Sequence, residues 1–152
     1  MDVLLVEDNR YDEKLTLRVL NQQHASKRIH VVRDGEGALE FMFATGAYHG
    51  RGGEPAPRVI LLDIKLPKVD GLEVLRRLRA DPRTTRQPIV LLTSSAESRD
   101  VDLAYQNHAN SYIVKPVDHE QFTNAIRELG LYWLLLNQGP TLPGFPSLNN
   151  RP

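Results

Sequence analysis

Asp63 is a candidate reactive group because of its place in the sequence. It directly follows the apolar run at residues 59–62, and Pro67, Asp70 and Gly71 then predict a turn. A short continuous apolar run is typical of a strand that is buried on both faces of a parallel sheet. Ligands of α/β proteins bind at the carboxyl ends of such strands. Asp63 is therefore placed for chemistry, although an Asp after a strand also serves as a helix cap or a turn residue.

Polar groups of complementary chemistry follow three other predicted strands. Glu7 and Asp8 follow the first strand, whereas Thr93 and Lys115 follow the fourth and the fifth. Because parallel strands end at one edge of a sheet, we expect these groups to lie together. Three carboxylates would form a hard oxygen site suited to Mg²⁺. A lysine and a hydroxyl beside that site suit a phosphoryl group carried on Asp63 as an acyl phosphate.

Each of these residues also has an ordinary structural explanation. The acid pair could be solvated, Thr93 could cap a helix, and Lys115 could lie on the surface. Their joint occurrence at the ends of four predicted strands favours one shared site over four unrelated explanations.

Five apolar runs alternate with five segments of helical periodicity. The strands are predicted at residues 3–6, 29–32, 59–62, 88–92 and 111–114. This alternation predicts a parallel sheet covered by helices on both faces, with right-handed crossovers. Residues 45–57 are rich in Gly and Pro and are predicted to form an irregular loop. The third helix is predicted to carry three arginines on its solvent side, namely Arg76, Arg77 and Arg79.

The composition predicts one globular domain and excludes several classes of site. The chain has 152 residues, of which 41% are hydrophobic and 25% charged. Its 19 basic and 19 acidic residues argue against a large nucleic-acid footprint. It has no cysteine, which excludes disulfides and zinc-thiolate sites. No apolar run reaches the ~18 residues of a membrane span and no signal peptide is seen, so a cytoplasmic location without a membrane partner is expected.

The sequence resembles the receiver domain of two-component response regulators, the CheY-like family. The resemblance extends from about residue 2 to residue 130. It implies a flavodoxin-like (βα)5 three-layer sandwich whose five-stranded parallel sheet has the order 2-1-3-4-5. The matching segments are Leu4-Leu5-Val6-Glu7-Asp8-Asn9, Leu61-Leu62-Asp63-Ile64-Lys65-Leu66-Pro67-Lys68-Val69-Asp70-Gly71, Leu92-Thr93-Ser94 and Tyr112-Ile113-Val114-Lys115-Pro116.

The resemblance also implies a role for each matching residue. Asp63 would accept the phosphoryl group from a sensor histidine kinase. Mg²⁺ would be bound by Asp8, Asp63 and the backbone carbonyl of Lys65, with Glu7 acting through a metal-bound water. The remaining implied roles are phosphoryl contact by Lys115, a swing of Thr93 toward the phosphoryl group, a coupled rotamer change of Tyr112 and a cis peptide bond at Pro116.

A narrower resemblance is to the stand-alone regulators of bacterial phytochrome kinases, and it rests on Ala109-Asn110-Ser111-Tyr112, Pro116-Val117-Asp118 and Leu129-Gly130-Leu131-Tyr132-Trp133. The sequence predicts a receiver domain with an extended C-terminal helix at residues 1–136, followed by a Pro/Gly-rich tail at residues 137–152. Output would come by contact with an unidentified downstream protein, and the chemistry would be limited to Mg²⁺-dependent self-phosphorylation and slow autodephosphorylation. The alternatives are a phosphorelay intermediate and a pseudo-receiver that acts as a binding module. A phosphohydrolase is disfavoured because Lys65 stands where such enzymes need a second acid.

The end of the predicted fifth helix suggests a homodimer. Residues 129–136 are apolar on nearly every side, and the inner face of a helix needs only about half of them. The others would form an exposed apolar patch, which usually marks an interface. The alternative is that the tail folds back over the patch. The predicted interface uses the fourth helix, fifth strand and fifth helix, with candidate residues Val101, Tyr105, Tyr132, Trp133 and Leu136.

Overall fold

A computed structural model describes residues 2–23, 28–116 and 118–142, and it contains one parallel sheet. The strand order is β2-β1-β3-β4-β5, and each neighbouring pair is parallel. This confirms the predicted flavodoxin-like order 2-1-3-4-5. The strands are β1 (Val3–Val6), β2 (Ile29–Val32), β3 (Val59–Leu62), β4 (Ile89–Thr93) and β5 (Ser111–Val114).

Five α-helices follow the strands in turn, as the periodicity predicts. Polar residues cap several of them: Asn9 Oδ1 accepts from the N–H of Asp12, and Asp70 Oδ1 accepts from the N–H of Glu73, both at 3.0 Å. The helices are α1 (Arg10–Gln23), α2 (Gly35–Phe43), α3 (Gly71–Ala80), α4 (Ser98–Gln106) and α5 (His119–Gly130), and α5 continues into a π-helical segment at Leu131–Leu136.

Two apolar cores lie on opposite faces of the sheet. Alternation along β1 divides its residues, since Leu4 and Val6 face one core whereas Val3 and Leu5 face the other. The first core is closed by α2, α3 and α4. The second is closed by α1 and α5, together with Leu134 of the π-helical segment. The sheet is therefore the middle layer of the predicted three-layer sandwich.

The prediction of an irregular loop at residues 45–57 was wrong in part, because Gly46–Arg51 forms a 3₁₀ helix that is kinked at Tyr48. Its side chains anchor it to the rest of the fold. The Tyr48 hydroxyl lies 2.9 Å from His30 Nε2, and the Arg51 guanidinium lies 3.5 Å from the centre of the Phe41 ring. A short 3₁₀ helix tolerates glycine when such tertiary contacts hold it.

Arg79 was predicted on the solvent side of α3, and this was wrong. It points toward the start of β4, where its Nη1 donates to the carbonyls of Gln87 at 2.7 Å and Thr85 at 3.0 Å. Its Nη2 donates to Asn110 Oδ1 at 3.0 Å, and that oxygen also accepts from the N–H of Ile89. Arg79 therefore connects α3 to the segments that lead into β4 and β5. Arg76 and Arg77 are exposed and pair with Glu73, as expected for a solvated face.

Gly71 lets α3 pack directly against the end of β3. A Cβ atom at this position would lie 1.9 Å from the carbonyl oxygen of Asp63 and 2.8 Å from Ile64 Cα. The N–H of Gly71 donates to the Ile64 carbonyl at 2.7 Å. The start of α3 therefore holds the backbone of Asp63 in place.

The π-helical segment is mostly exposed, with Leu134 as its one buried residue. Leu134 is buried, and its carbonyl accepts from Arg58 Nη1 at 3.0 Å. Four large apolar residues of the segment are exposed: Leu131, Tyr132, Leu135 and Leu136. The proposed boundary between a domain at 1–136 and a tail at 137–152 stays a prediction, since residues 143–152 lie outside the described part. Within the described residues, no helix is long and apolar enough to cross a membrane.

Candidate functional site

The carboxyl edge of the sheet brings three acidic side chains together. One carboxylate oxygen from each of Glu7, Asp8 and Asp63 lies within 4.8 Å of the others. Backbone hydrogen bonds align the strand ends, since the N–H of Glu7 donates to Val32 O and the N–H of Asp63 donates to Val6 O, both at 3.1 Å. Glu7 and Asp63 are buried, whereas Asp8 is exposed. The three acids thus form one site, as their sequence positions predict.

Lys115 places its ammonium group among these acids. Its Nζ donates to Glu7 Oε1, to Asp63 Oδ2 at 3.1 Å and to Asp12 Oδ2 at 2.9 Å. A backbone hydrogen bond of 2.7 Å from Lys115 N to Thr93 O sets the position of the lysine at the end of β5. Lys115 is therefore in direct contact with Asp63, and its contact with a phosphoryl group stays a prediction.

The charges of this cluster shift one another's pKa values. Burial raises the pKa of Glu7 to about 7, although the Lys115 ammonium acts in the opposite direction. Burial also acts to raise the pKa of Asp63, but Lys115 and hydrogen bonding from Thr93 outweigh it and lower that pKa. Burial acts to lower the pKa of Lys115, and its carboxylate partners outweigh it and raise that pKa. Asp63 is thus held as a carboxylate beside a charged lysine.

Thr93 and Tyr112 lie on the side of the site toward α4. Thr93 is fully buried, and its Oγ1 accepts weakly from the N–H of Ser95 at 3.4 Å. The Tyr112 hydroxyl donates to the Ser95 carbonyl at 2.7 Å, and Ser95 Oγ donates to Asp100 Oδ2 at 2.5 Å. Ser95 therefore links both predicted switch residues to the first turn of α4. The swing of Thr93 and the rotamer change of Tyr112 stay predictions.

The donor set at the carboxylate cluster fits a divalent cation. Glu7, Asp8 and Asp63 offer carboxylate oxygens, which are the hard ligands that Mg²⁺ and similar ions prefer. Lys65 follows two residues after Asp63 in the β3–α3 loop, and its side chain is exposed. The role of its backbone carbonyl as a metal ligand stays a prediction.

The predicted cis peptide bond at Pro116 was wrong, because the Lys115–Pro116 bond is trans. The trans form is the intrinsic preference of an X-Pro bond, by about 0.5–1 kcal/mol. Lys115 reaches all three of its carboxylate partners with the trans bond. The family resemblance was the sole basis for the cis prediction, and the geometry of this site does not require it.

Asp12 is a site residue that the sequence reasoning missed. No role was predicted for it, yet its carboxylate contacts Lys115. Its spacing was the available signal: Asp12 stands four residues after Asp8, and a helix that starts at Arg10 places it on the turn next to the acid pair.

The predicted dimer residues are spread over α4 and the C-terminal segment. Tyr105, Tyr132 and Leu136 are exposed, whereas Val101 and Trp133 are partly buried. The rings of Tyr132 and Trp133 meet edge to face, with their centres 5.2 Å apart. The exposed apolar side chains of this set therefore lie on two elements, Tyr105 on α4 and Tyr132 and Leu136 on the C-terminal segment.

Comparison with known proteins identifies a family over most of the chain. A sequence model described as "Response regulator receiver domain" matches residues 3–127. Probable methanogenesis regulatory protein FilR2 of Methanothrix harundinacea is 40% identical over 138 residues, which cover 91% of this chain and 86% of that protein. Response regulator Rcp1 of Synechocystis sp. is 35% identical over 132 residues, which cover 87% of this chain and 88% of that protein.

Solved structures agree with this match. The crystal structure of the phosphorylated cyanobacterial phytochrome response regulator RcpA has a TM-score of 0.86 at 33% identity, and the alignment covers 92% of this chain and 98% of that one. The crystal structure of the Mn²⁺-bound form of response regulator Rcp1 has a TM-score of 0.81 at 33% identity, with coverage of 91% and 98%.

Proposed function

Because this chain belongs to the response regulator receiver family, we propose that Asp63 is the residue that accepts and carries its phosphoryl group. The observation that carries this proposal is the 3.1 Å contact of Lys115 Nζ with Asp63 Oδ2, on a sheet edge that also holds Glu7 and Asp8. A sensor histidine kinase is the phosphodonor that membership of the family implies.

The arrangement supports an in-line transfer to Asp63. A carboxylate oxygen of Asp63 would form a bond to phosphorus while the bond between phosphorus and the kinase imidazole nitrogen breaks, and the imidazole leaves. Lys115 would offset negative charge on the phosphoryl oxygens. Thr93 offers a hydroxyl donor from the end of β4. The other oxygen of Asp63, Oδ1, accepts from the N–H of Ile64 at 2.7 Å, which fixes the orientation of the carboxylate.

Receiver domains bind a divalent metal ion, and the relative Rcp1 has been solved with Mn²⁺. For this chain we propose Mg²⁺, held by Asp8, Asp63 and the Lys65 carbonyl, with Glu7 acting through a bound water. Such an ion supplies positive charge near the transferred group. The close approach of the three carboxylates supports this assignment, because their mutual repulsion favours a bound cation.

Receiver domains are signalling domains, and we propose that this one turns over only its own acyl phosphate. Output would then come through contact with a downstream protein, without nucleic-acid binding by this domain. A phosphorelay intermediate is the second candidate, and it would pass the phosphoryl group from Asp63 to another histidine. The intact acid cluster and Lys115 disfavour a pseudo-receiver. The cytoplasmic location expected from the sequence belongs to the same proposal.

Labelling by a small phosphodonor tests the assignment of function. After incubation with acetyl phosphate and Mg²⁺, we expect an intact-mass increase of one phosphoryl group per chain. Removal of divalent ions with EDTA is expected to reduce the rate of phosphoryl labelling at least about 100-fold. Without the ion, the negative charges of the phosphoryl group and the three acids are poorly offset. A folded protein that binds Mg²⁺ but stays unlabelled would contradict the proposal and favour a pseudo-receiver.

We propose that the histidine kinase that phosphorylates this chain is a phytochrome. The structural similarity to RcpA, a phytochrome response regulator, supports this choice, whereas FilR2 is named for methanogenesis. Phosphotransfer from each histidine kinase of the source organism would decide between these classes. Transfer that is fastest from a phytochrome kinase would support the proposal, and preference for a kinase without a phytochrome module would reject it.

We also propose a homodimer that uses the exposed apolar residues of the C-terminal segment. Tyr132 is 51% exposed and Leu136 is 68% exposed. Residues of this size rarely cluster on the surface of a monomer, and aromatic residues are common anchors of interfaces. Val101, Tyr105 and Trp133 complete the candidate surface.

Sedimentation velocity tests the dimer. We expect the wild-type chain to sediment as a dimer at micromolar concentration, and a Tyr132→Ser, Leu136→Ser double variant to weaken dimerisation about 100-fold, because the loss of hot-spot side chains costs several kcal/mol. Tyr11→Ser is a matched control, since Tyr11 is 64% exposed on α1, outside the candidate surface. A wild-type monomer at high micromolar concentration, with and without phosphorylation, would reject the dimer.

A further inference from the structure

The ammonium group of Lys115 has as many carboxylate partners as it has donors. Its Nζ contacts Glu7 Oε1, Asp12 Oδ2 and Asp63 Oδ2. An ammonium group has three N–H donors, so each carboxylate occupies one of them. Phosphorylation of Asp63 Oδ2 replaces one of these contacts with a phosphoryl oxygen, so a second phosphoryl oxygen could accept a hydrogen bond from Lys115 only after Glu7 or Asp12 is displaced.

Asp12 is the partner that is displaced at the lowest cost. The side chain of Asp12 is 23% exposed, compared with 4% for Glu7 and 9% for Asp63. A carboxylate that already reaches water regains hydration easily, whereas a buried one would be left without a partner. Asp12 is also in the first turn of α1, where the helix dipole favours negative charge.

The surroundings of Asp12 allow its side chain to separate from the lysine. Asp12 and Lys115 line an open pocket of about 220 Å³, whose wall includes Leu15 and Phe122. The hydrogen bond that caps α1 runs from the backbone N–H of Asp12 to Asn9 Oδ1, so it does not depend on the Asp12 carboxylate. The carboxylate can thus turn into the pocket while α1 keeps its start.

We propose that Asp12 is a positioning residue that holds Lys115 in the unphosphorylated chain and releases it when Asp63 carries a phosphoryl group. This inference rests on the proposed function of Asp63 and Lys115. Asp12 competes with the phosphoryl group for one donor and therefore opposes phosphorylation. Release of Asp12 also breaks its ion pair with Lys115, which joins α1 to the end of β5. Phosphorylation would therefore weaken the connection between these two elements.

Binding of a phosphoryl mimic tests this role directly. Beryllofluoride, formed from BeCl₂ and NaF, would be titrated with saturating Mg²⁺ into the full chain, followed by the amide NMR signals of Thr93 and Ser95. We expect Asp12→Asn to lower the half-saturating concentration roughly three- to tenfold, the size expected when one partly exposed ion pair no longer competes. Asp12→Glu is expected to restore the wild-type value, because it returns a carboxylate to Lys115.

Two controls separate this role from simpler ones. Glu120→Gln removes one negative charge from the first turn of α5 and is expected to leave the half-saturating concentration unchanged. Titration with Mg²⁺ alone is expected to differ by less than about threefold between wild type and Asp12→Asn, because Asp12 is not assigned as a metal ligand. A loss of Mg²⁺ affinity of about tenfold or more in Asp12→Asn would overturn the proposal in favour of a ligand role for Asp12.

The beryllofluoride titrations also distinguish failure of the Asp12 role from failure of the proposed function of Asp63. A folded Asp12→Asn variant that binds beryllofluoride no better than wild type would overturn the role of Asp12 while leaving the function of Asp63 intact. An equal gain in Glu120→Gln would overturn it as well, since net charge would then explain the effect. A wild-type chain that neither binds beryllofluoride nor accepts a phosphoryl group would instead reject the proposed function.

Discussion

An Asp63→Asn variant is expected to incorporate less than about 1% of the phosphoryl group that the wild-type chain takes from acetyl phosphate. The amide that replaces the carboxylate has no anionic oxygen to form the acyl phosphate. The fold should persist, because asparagine has the same shape and Lys115 keeps Glu7 and Asp12 as partners. Intact-mass measurement after a fixed incubation, with a circular-dichroism melt of the same sample, checks both parts of this expectation.

Asp70→Asn is the matched control for this variant. Asp70 belongs to the same β3–α3 connection, but its Oδ1 caps α3 by accepting from the N–H of Glu73, and asparagine caps helices equally well. Labelling of this control should therefore equal that of wild type. Undiminished labelling of Asp63→Asn, or peptide mapping of the phosphoryl group to Asp8, would show that Asp63 is not the acceptor.

A Gly71→Ala variant should lose both stability and phosphorylation. The new methyl group would meet the Asp63 carbonyl oxygen at 1.9 Å, so either α3 or the end of β3 must move. We expect the free energy of unfolding to fall by about 3 kcal/mol. This corresponds to a decrease in the melting temperature of about 6–12 °C for a chain of this size. A displacement of Asp63 of ~1 Å could slow labelling about 100-fold.

Gly50→Ala provides the comparison for this effect, because no atom lies within 4 Å of a Cβ at Gly50. Its melting temperature and labelling rate should match those of wild type. A Gly71→Ala chain that melts within about 1 °C of wild type would show that the contact between α3 and β3 is looser than the structure indicates.

The sheet and most of the site follow from short-range features of the sequence. A continuous apolar run indicates a buried parallel strand, and the residue after that run must emerge at the carboxyl edge. This reasoning places Asp63, Glu7, Asp8 and Lys115 together without knowledge of any distance. It succeeds because the geometry of a parallel sheet converts positions in the sequence into positions in space.

The residues that were missed depend on contacts between distant parts of the chain. Arg79 has the charge of a surface residue, and only the approach of Gln87 and Asn110 gives its donors partners within the fold. Asp12 acquires its role from Lys115, 103 residues away. The 3₁₀ helix at Gly46–Arg51 is likewise held by side-chain contacts, and a Gly-rich sequence does not predict them. Local patterns carry no information about such pairs.

The second apolar core joins the two ends of the domain, because α1 and α5 close the same face of the sheet. On the ribosome, α1 is made early and must wait for α5 before that face can be covered. The opposite face uses α2, α3 and α4 and can be closed sooner. Nascent chains that end before α5 would therefore expose the apolar residues of β1 and β3, and would be natural clients of chaperones until synthesis is complete.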